Sequence, residues 1–280
     1  MGNGDITEVL NILMGLKLTT IIHSTLIGSR TSTTGIAIIG PAGSGKSTYA
    51  YNAAKAAYLR LKCHKSQIPK VNECIKYAVD NYDLCFSSGC KEPDEIDWEL
   101  RDYIFVGEED IPRLVSIGTE IVEQRRSPLP FLFIDDVMIR GTYTLGGVYR
   151  QLAYLFKKSM QYRRALASLV ILTTTTRSSL IDLYGDFIFI HAQERFYDYY
   201  YIRWYTAKVP YRMVDRALRV YETYKALVRP EWTDTIPKKK AFGMPAWLED
   251  LINKRKIGMI RTALSTYEKA TQAAQRALGE

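Results

Sequence analysis

The sequence lacks the features of a membrane-spanning, secreted or disordered chain. The 280-residue sequence contains no run of 18 uninterrupted apolar residues, the length that a membrane-spanning helix needs. The most apolar early stretch, 18–27, is short and contains His23. The N-terminus lacks the order of basic, apolar and small residues that marks a secretory signal. A content of 47% hydrophobic residues with only 10 prolines excludes collagen-like and disordered chains. We therefore expect a globular, cytoplasmic protein that does not engage a membrane.

Cysteine is also scarce, and all four cysteines fall within 28 residues that include His64: Cys63, Cys74, Cys85 and Cys90. They do not form two closely spaced pairs, which is the usual arrangement of a structural zinc site. The interpretation we favour is that they are small buried side chains. A Cys85–Cys90 disulfide and a metal site stay open as alternatives.

Acidic residues are few in the last third of the chain. The formal net charge is +8, and residues 187–280 hold 17 basic and 10 acidic side chains, whereas residues 1–186 hold 21 and 20. A basic segment attached to a neutral body is typical of proteins that bind a polyanion, since neutralised phosphates release counterions. A solvated basic helix face is the alternative.

The most specific pattern is a short apolar run at 36–39, then G-x-x-x-x-G-K-S, then a predicted helix rich in alanine. Glycines in such a turn allow positive φ, so that backbone N–H groups can surround a phosphate at the helix N-terminus. Lys46 would contact the β and γ phosphates, and the Ser47 hydroxyl would be a ligand of Mg²⁺. The predicted nucleotide-binding residues are Gly40, Pro41, Ala42, Gly43, Ser44, Gly45, Lys46, Ser47 and Thr48.

A second apolar run, 131–134, leads directly into two carboxylates. Ligands of parallel α/β sheets bind at the carboxyl ends of the strands, so these acids are predicted to lie near the glycine-rich turn. Asp135 would hold Mg²⁺, and Asp136 would polarise the attacking water. The alternative is that both acids cap the following helix.

A third apolar run, 169–172, ends in four threonines. In ATPases with an extra strand between the phosphate-loop strand and the acidic strand, a polar group at this position contacts the γ-phosphate or the attacking water. Thr173 and Thr174 are the candidates for this catalytic role, against the simpler interpretation of a threonine-rich strand end.

The order of these runs predicts an α/β fold with a mainly parallel sheet flanked by helices. We divide the chain into an N-terminal helix and linker (1–34), a P-loop ATPase core (35–228) and a basic linker with a C-terminal helix (229–280). The core includes extra strands near its C-terminal end, where 195–205 interleaves aromatics with arginines. We interpret that run as a β-hairpin, with stacking on nucleic acid bases as the alternative.

The runs 131–136 and 170–174 resemble the acidic and sensor strands of AAA+ replication initiators and helicase loaders of the DnaA and DnaC type. A closer resemblance than this is to the DnaA-like ATPases of spindle-shaped archaeal viruses and plasmids, on 43–50, those two runs and a late Pro-Ala-Trp at 245–247. The resemblance covers most of 30–260. It departs where strands are predicted in place of the helical lid, which puts the lid arginine and ring assembly in doubt.

The resemblance implies a P-loop ATPase that uses ATP and Mg²⁺ and acts with DNA in viral or plasmid replication, in the host cytoplasm. A replicative helicase or another replication protein, and a second copy of the chain, are the candidate protein partners. Two other functions stay open. One is a DNA-packaging or translocating motor of the HerA and FtsK kind, and the other is a nucleotide kinase.

Overall fold

The computed structural model describes residues 3–28, 34–41, 43–106, 110–124, 127–135, 166–175, 187–196, 198–205 and 231–279. Within these ranges the chain is an α/β fold with one seven-stranded sheet flanked by helices. The helices are α1 (Asn3–Gly15), α2 (Lys17–Leu26), α3 (Lys46–Lys65), α4 (Val71–Asn81), α5 (Glu95–Leu100), α6 (Ile111–Glu123) and α7 (Ala246–Gly279). The strands are β1 (Thr34–Ile39), β2 (Ile104–Val106), β3 (Leu132–Asp135), β4 (Leu169–Thr174), β5 (Phe187–Phe196), β6 (Tyr199–Tyr205) and β7 (Trp232–Pro237).

The strand order is β2-β3-β4-β1-β5-β6-β7. The first five strands of this order, β2, β3, β4, β1 and β5, are parallel to one another. Strand β6 pairs antiparallel with both β5 and β7. Strand β4 lies between β1 and β3 although it follows β3 along the chain. The parallel strands β3 and β4 are buried throughout, which explains why they are continuous apolar runs. The predicted parallel sheet and the extra strands after β4 are confirmed.

The centre of the core is α3, a helix of 20 residues that begins at the end of the glycine-rich turn after β1. Five alanines on it are fully buried: Ala50, Ala53, Ala54, Ala56 and Ala57. Small side chains on several faces allow close packing, and α3 contacts α1, α2, α4, α5 and the sheet strands β3 and β4. The position of its N-terminus is therefore fixed by packing on several sides.

The prediction of one N-terminal helix within 1–34 is wrong, because this segment contains two helices. Helices α1 and α2 meet at Leu16, whose backbone is extended, with a bend of 77°. The bend is stabilised by the Asp234 carboxylate, which accepts the Lys17 N–H at 3.1 and 3.2 Å at the start of α2. In the described part of the chain no single helix is long and apolar enough to cross a membrane, although this bent pair meets those criteria when its two helices are combined.

The four cysteines are paired as two disulfides, Cys63–Cys74 and Cys85–Cys90. The alternative of a Cys85–Cys90 disulfide is confirmed, whereas the favoured interpretation of unpaired small side chains is wrong and the Cys63–Cys74 pair was not predicted. Cys63, Cys74 and Cys90 are buried. No group of three or more potential metal ligands occurs among the residues described. The Cys63–Cys74 disulfide links the end of α3 covalently to α4.

A buried ionic cluster connects the middle of α3 to the start of α5. The Lys55 ammonium is fully buried and forms ion pairs with Asp94 and, at 2.8 Å, with Asp97. It also donates to the carbonyl oxygen of Cys85 at 2.9 Å. Asp94 and Asp97 form a reciprocal capping box at the start of α5. Each charge therefore has partners, which a buried ion pair requires if it is not to destabilise the fold.

The imidazole of His23 on α2 gives stability a specific pH dependence. Burial, followed by the positive charges of Arg60 and His64, lowers the pKa of His23 from its ordinary 6.5 to about 4. The unfolded chain therefore binds more protons than the folded chain between these values, and stability falls as the pH falls from 6.5 to 4. We expect the urea midpoint of the wild type to fall more steeply over this range than that of His23→Gln. Parallel wild-type and His23→Gln profiles would contradict the prediction.

The C-terminal elements are more regular than the sequence indicated. The basic linker predicted at the start of 229–280 contains β7, which pairs with β6 from Trp232 to Pro237. The hairpin interpretation of the aromatic run is confirmed, since β5 and β6 are antiparallel neighbours. Trp204 on β6 is buried in the core, whereas Tyr199 near the hairpin tip is exposed. Helix α7 is predicted correctly at its start and runs for 34 residues.

Candidate functional site

The turn between β1 and α3 has the backbone that its glycines predict. Gly43 and Gly45 have φ of 74° and 82°, in the left-handed region that favours glycine. Gly45 is the N-cap residue of α3, and no side chain caps this end of the helix among the residues described. The first N–H groups of a helix lack intrahelical acceptors and carry the positive end of its dipole. The turn therefore has the chemistry of an anion site.

Two polar side chains of the turn are buried within it. Lys46 donates from Nζ to the carbonyl oxygen of Pro41 at 2.8 Å. Ser44 is 2% exposed, and its Oγ is buried without a hydrogen-bond partner in the described structure. A buried hydroxyl of this kind costs free energy unless a partner is supplied. A phosphate oxygen at the turn would supply that partner.

The acidic strand and the sensor strand meet the turn at the carboxyl edge of the sheet. The Ser47 hydroxyl, on the first turn of α3, donates to Oδ1 of Asp135 at 2.5 Å. The Thr173 hydroxyl, near the end of β4, donates to the same oxygen. Asp135 is 2% exposed and Thr173 is fully buried. Three residues that are far apart in sequence and were predicted as site residues are thus in direct contact.

The remaining predicted residues lie around this contact or outside the described structure. The carbonyl oxygen of Thr174 accepts the N–H of Gly40 at 3.3 Å, which joins the ends of β4 and β1. Thr48 is half-buried in the first turn of α3. Ala42 and Asp136 lie outside the residues that the structure describes, so the role of Asp136 as the residue that polarises water stays a prediction.

The donor set fits Mg²⁺ held together with a nucleotide. In such sites Mg²⁺ takes one or two carboxylates, a serine or threonine hydroxyl, phosphate oxygens and water, rather than a complete cage of protein ligands. Ser47 and Asp135 supply a hydroxyl and a carboxylate at one point. No protein-family model matches the chain, and no curated protein is significantly similar to it. The function therefore has to be argued from these contacts.

The structure also places at this site a residue that the sequence did not indicate. A β-carbon at Gly45 would lie 3.2 Å from Cδ1 of Tyr200 on β6, so the Tyr200 ring contacts the turn. Lys238, just after β7, has its ammonium 5.5 Å from the centre of that ring. Tyr200 belongs to a run of similar aromatics, and only the pairing register of β6 distinguishes it from Tyr199 and Tyr201.

Proposed function

We propose that the chain is a P-loop ATPase that binds ATP with Mg²⁺ and hydrolyses it in association with DNA. The observation that carries the proposal is the contact of Ser47 with Asp135 at the N-terminus of α3, beside the hydroxyl of Thr173. A magnesium ion between the serine, the carboxylate and the phosphates would explain why these groups converge. The glycine conformations and the buried Ser44 hydroxyl support the same site independently.

In this proposal the residues of the site have the following roles. The backbone N–H groups of 43–48 bind the phosphates, and Lys46 neutralises charge on the β and γ phosphates. Ser47 and Asp135 hold Mg²⁺, which supplies charge neutralisation and holds the phosphates in position. Thr173 orients Asp135, and Thr174 lies at the end of the same strand. Asp136 is the proposed acceptor of the proton from the attacking water.

The strand order favours a hydrolase over a kinase. Strand β4 inserts between β1 and β3, and the hydroxyl of its Thr173 lies beside the Asp135 carboxylate at the end of β3. A polar group there can monitor the terminal phosphate or orient water. This arrangement supports a molecule that couples hydrolysis to a change in its contacts.

DNA is the proposed partner because the C-terminal helix carries the basic excess. Residues 253–279 of α7 include six basic side chains and one acidic side chain. Three of these basic side chains have a described burial, Lys254, Arg261 and Lys269, and all three are exposed and so accessible to a polyanion. A role in viral or plasmid replication, as an initiator or helicase loader, follows from the resemblance rather than from these contacts.

A DNA-translocating motor of the HerA and FtsK kind is the second candidate. The antiparallel strands β6 and β7 extend the sheet beyond β5, at a point where an initiator would have a helical lid. The two candidates differ in their coupling to DNA. A motor needs DNA-stimulated turnover and movement along a duplex, whereas a loader needs a protein partner.

The decisive experiment is ATP turnover by the purified chain with Mg²⁺, alone and with single-stranded or double-stranded DNA. We expect turnover that requires Mg²⁺ and rises at least severalfold with DNA. DNA affinity should fall about tenfold when monovalent salt is doubled, if the basic helix neutralises about four phosphates. Absence of nucleotide binding would refute the ATPase proposal, and DNA affinity that does not respond to salt would refute the role of α7. Displacement of a strand during turnover would favour the motor.

A further inference from the structure

Strands β5 and β6 extend past the end of β1 on the side of the phosphate-binding turn. Ile39, the last residue of β1, lies beside His191 of β5, and β5 continues to Phe196. The chain then reverses, and β6 begins at Tyr199. The tip of this hairpin therefore projects beyond the carboxyl edge of β1, where the turn begins.

The ring of Tyr200 lies against the turn at its second left-handed glycine. The three ring atoms Cδ1, Cγ and Cε1 lie 3.2, 3.3 and 3.4 Å from the position that a β-carbon on Gly45 would occupy. Such distances are shorter than most contacts that real β-carbons make, so the ring occupies the space that a side chain at this position would need. The contact involves the carbon atoms of the ring, so a phenylalanine ring would preserve it.

Lys238 is held near the same ring by the end of β7. Its backbone N–H donates to the carbonyl oxygen of Asp198 at 2.8 Å, and its ammonium lies 5.5 Å from the centre of the Tyr200 ring. The next residue, Lys239, is directed elsewhere and forms an ion pair with Glu8 of α1 at 2.9 Å. Of these two adjacent lysines, Lys238 is the one whose ammonium lies near Tyr200, the residue that approaches Gly45.

We propose that Tyr200 and Lys238 complete the phosphate site, which makes this inference dependent on the ATPase proposal. Tyr200 is a positioning residue that holds Gly45 in the conformation that anion binding requires. Lys238 is a second cation, in addition to Lys46, for the polyphosphate chain of the nucleotide. A hydrogen bond from an ammonium to a phosphate oxygen is charge-assisted and stronger than a bond between neutral groups, so a second cation would add to the affinity for the polyphosphate chain.

The test compares Lys238→Gln with the matched control Lys239→Gln, which removes the same charge from the neighbouring position. Dissociation constants for ATP with Mg²⁺, and for inorganic tripolyphosphate, are measured by titration calorimetry on the full chain. We expect Lys238→Gln to weaken both ligands about tenfold and Lys239→Gln to change neither by more than about twofold. Tripolyphosphate has no base or sugar, so an equal loss with both ligands assigns the effect to the phosphates.

Tyr200 is tested by Tyr200→Ala and Tyr200→Phe in the same assay. The alanine variant should weaken ATP binding about tenfold, and the phenylalanine variant should bind as the wild type does, because the ring is what contacts Gly45. If the alanine variant does not fold, the Lys238→Gln comparison still decides. Wild-type affinity in Lys238→Gln, or a loss seen with ATP and not with tripolyphosphate, would overturn this inference while the ATPase proposal stands. If the wild type bound neither ligand, the ATPase proposal itself would fail.

Discussion

The Lys46→Ala variant is expected to bind ATP at least about a hundredfold more weakly than the wild type while keeping its fold. The side chain lies inside the turn, and its ammonium donates to the Pro41 carbonyl oxygen. In the proposed complex it contacts the phosphates, and loss of a charge-assisted contact of about 3 kcal/mol corresponds to about a hundredfold in affinity. Titration calorimetry with ATP and Mg²⁺ measures this directly.

The matched control is Lys62→Ala, on the same helix. Lys62 lies in the last turn of α3 and pairs with Glu99 at 2.5 Å, far along the helix from the phosphate-binding turn. Its removal should leave ATP affinity unchanged, since a partly exposed pair contributes little beyond local stability. Circular dichroism and urea unfolding check that each variant is folded. Tight ATP binding by a folded Lys46→Ala variant would contradict the phosphate-loop assignment.

Of the proposed substitutions, Asp234→Ala should cause the largest decrease in the free energy of unfolding. This carboxylate on β7 is 4% exposed and accepts hydrogen bonds from the Tyr49 hydroxyl, the indoles of Trp204 and Trp232, and the Lys17 backbone. Burial raises the pKa of Tyr49 well above its ordinary value, so the hydroxyl stays protonated and donates. One carboxylate thus joins α2, α3, β6 and β7.

We expect Asp234→Ala to reduce the free energy of unfolding by about 4 kcal/mol. Tyr49 and Trp204 are fully buried, and each donor left without an acceptor costs about 1–3 kcal/mol. Trp232 is half exposed and can bond to water instead, so it adds less. Urea unfolding followed by circular dichroism measures the difference. Asp80→Ala, on the exposed face of α4, is the control and should change stability by less than about 0.5 kcal/mol. A change that small in Asp234→Ala would show that the buried donors find other acceptors.

The elements that the sequence predicted best are those whose structure is determined by the residues of the element itself and its immediate neighbours. A glycine-rich turn between an apolar strand and a helix specifies its own backbone, and the φ values of Gly43 and Gly45 agree with it. The apolar runs before Asp135 and Thr173 predicted two buried strands whose ends had to meet at one edge. The convergence of Ser47, Asp135 and Thr173 followed from these local signals and from the rules of parallel sheets.

The features that were missed depend on contacts between distant parts of the chain. Asp234 looks like an ordinary polar residue in a segment with prolines, and nothing nearby shows that it supports the start of α2 from 217 residues away. The pairing of β7 with β6 turned a predicted loop into a strand. Tyr200 is one of three consecutive tyrosines, and strand register alone determines which of them contacts Gly45.

Helix α7 is attached to the body by its first two turns, where Leu248 and Ile252 are buried, and it then continues to Gly279. At 1.5 Å per residue, its 34 residues span about 50 Å. Beyond Ile252, the side chains whose burial the structure describes are not buried, so a rod of this length attached at Leu248 and Ile252 acts as a lever. A rotation of about 5° at the attached end would carry the far end through about 4 Å. Small rearrangements near β7 would therefore be magnified at the tip of the rod.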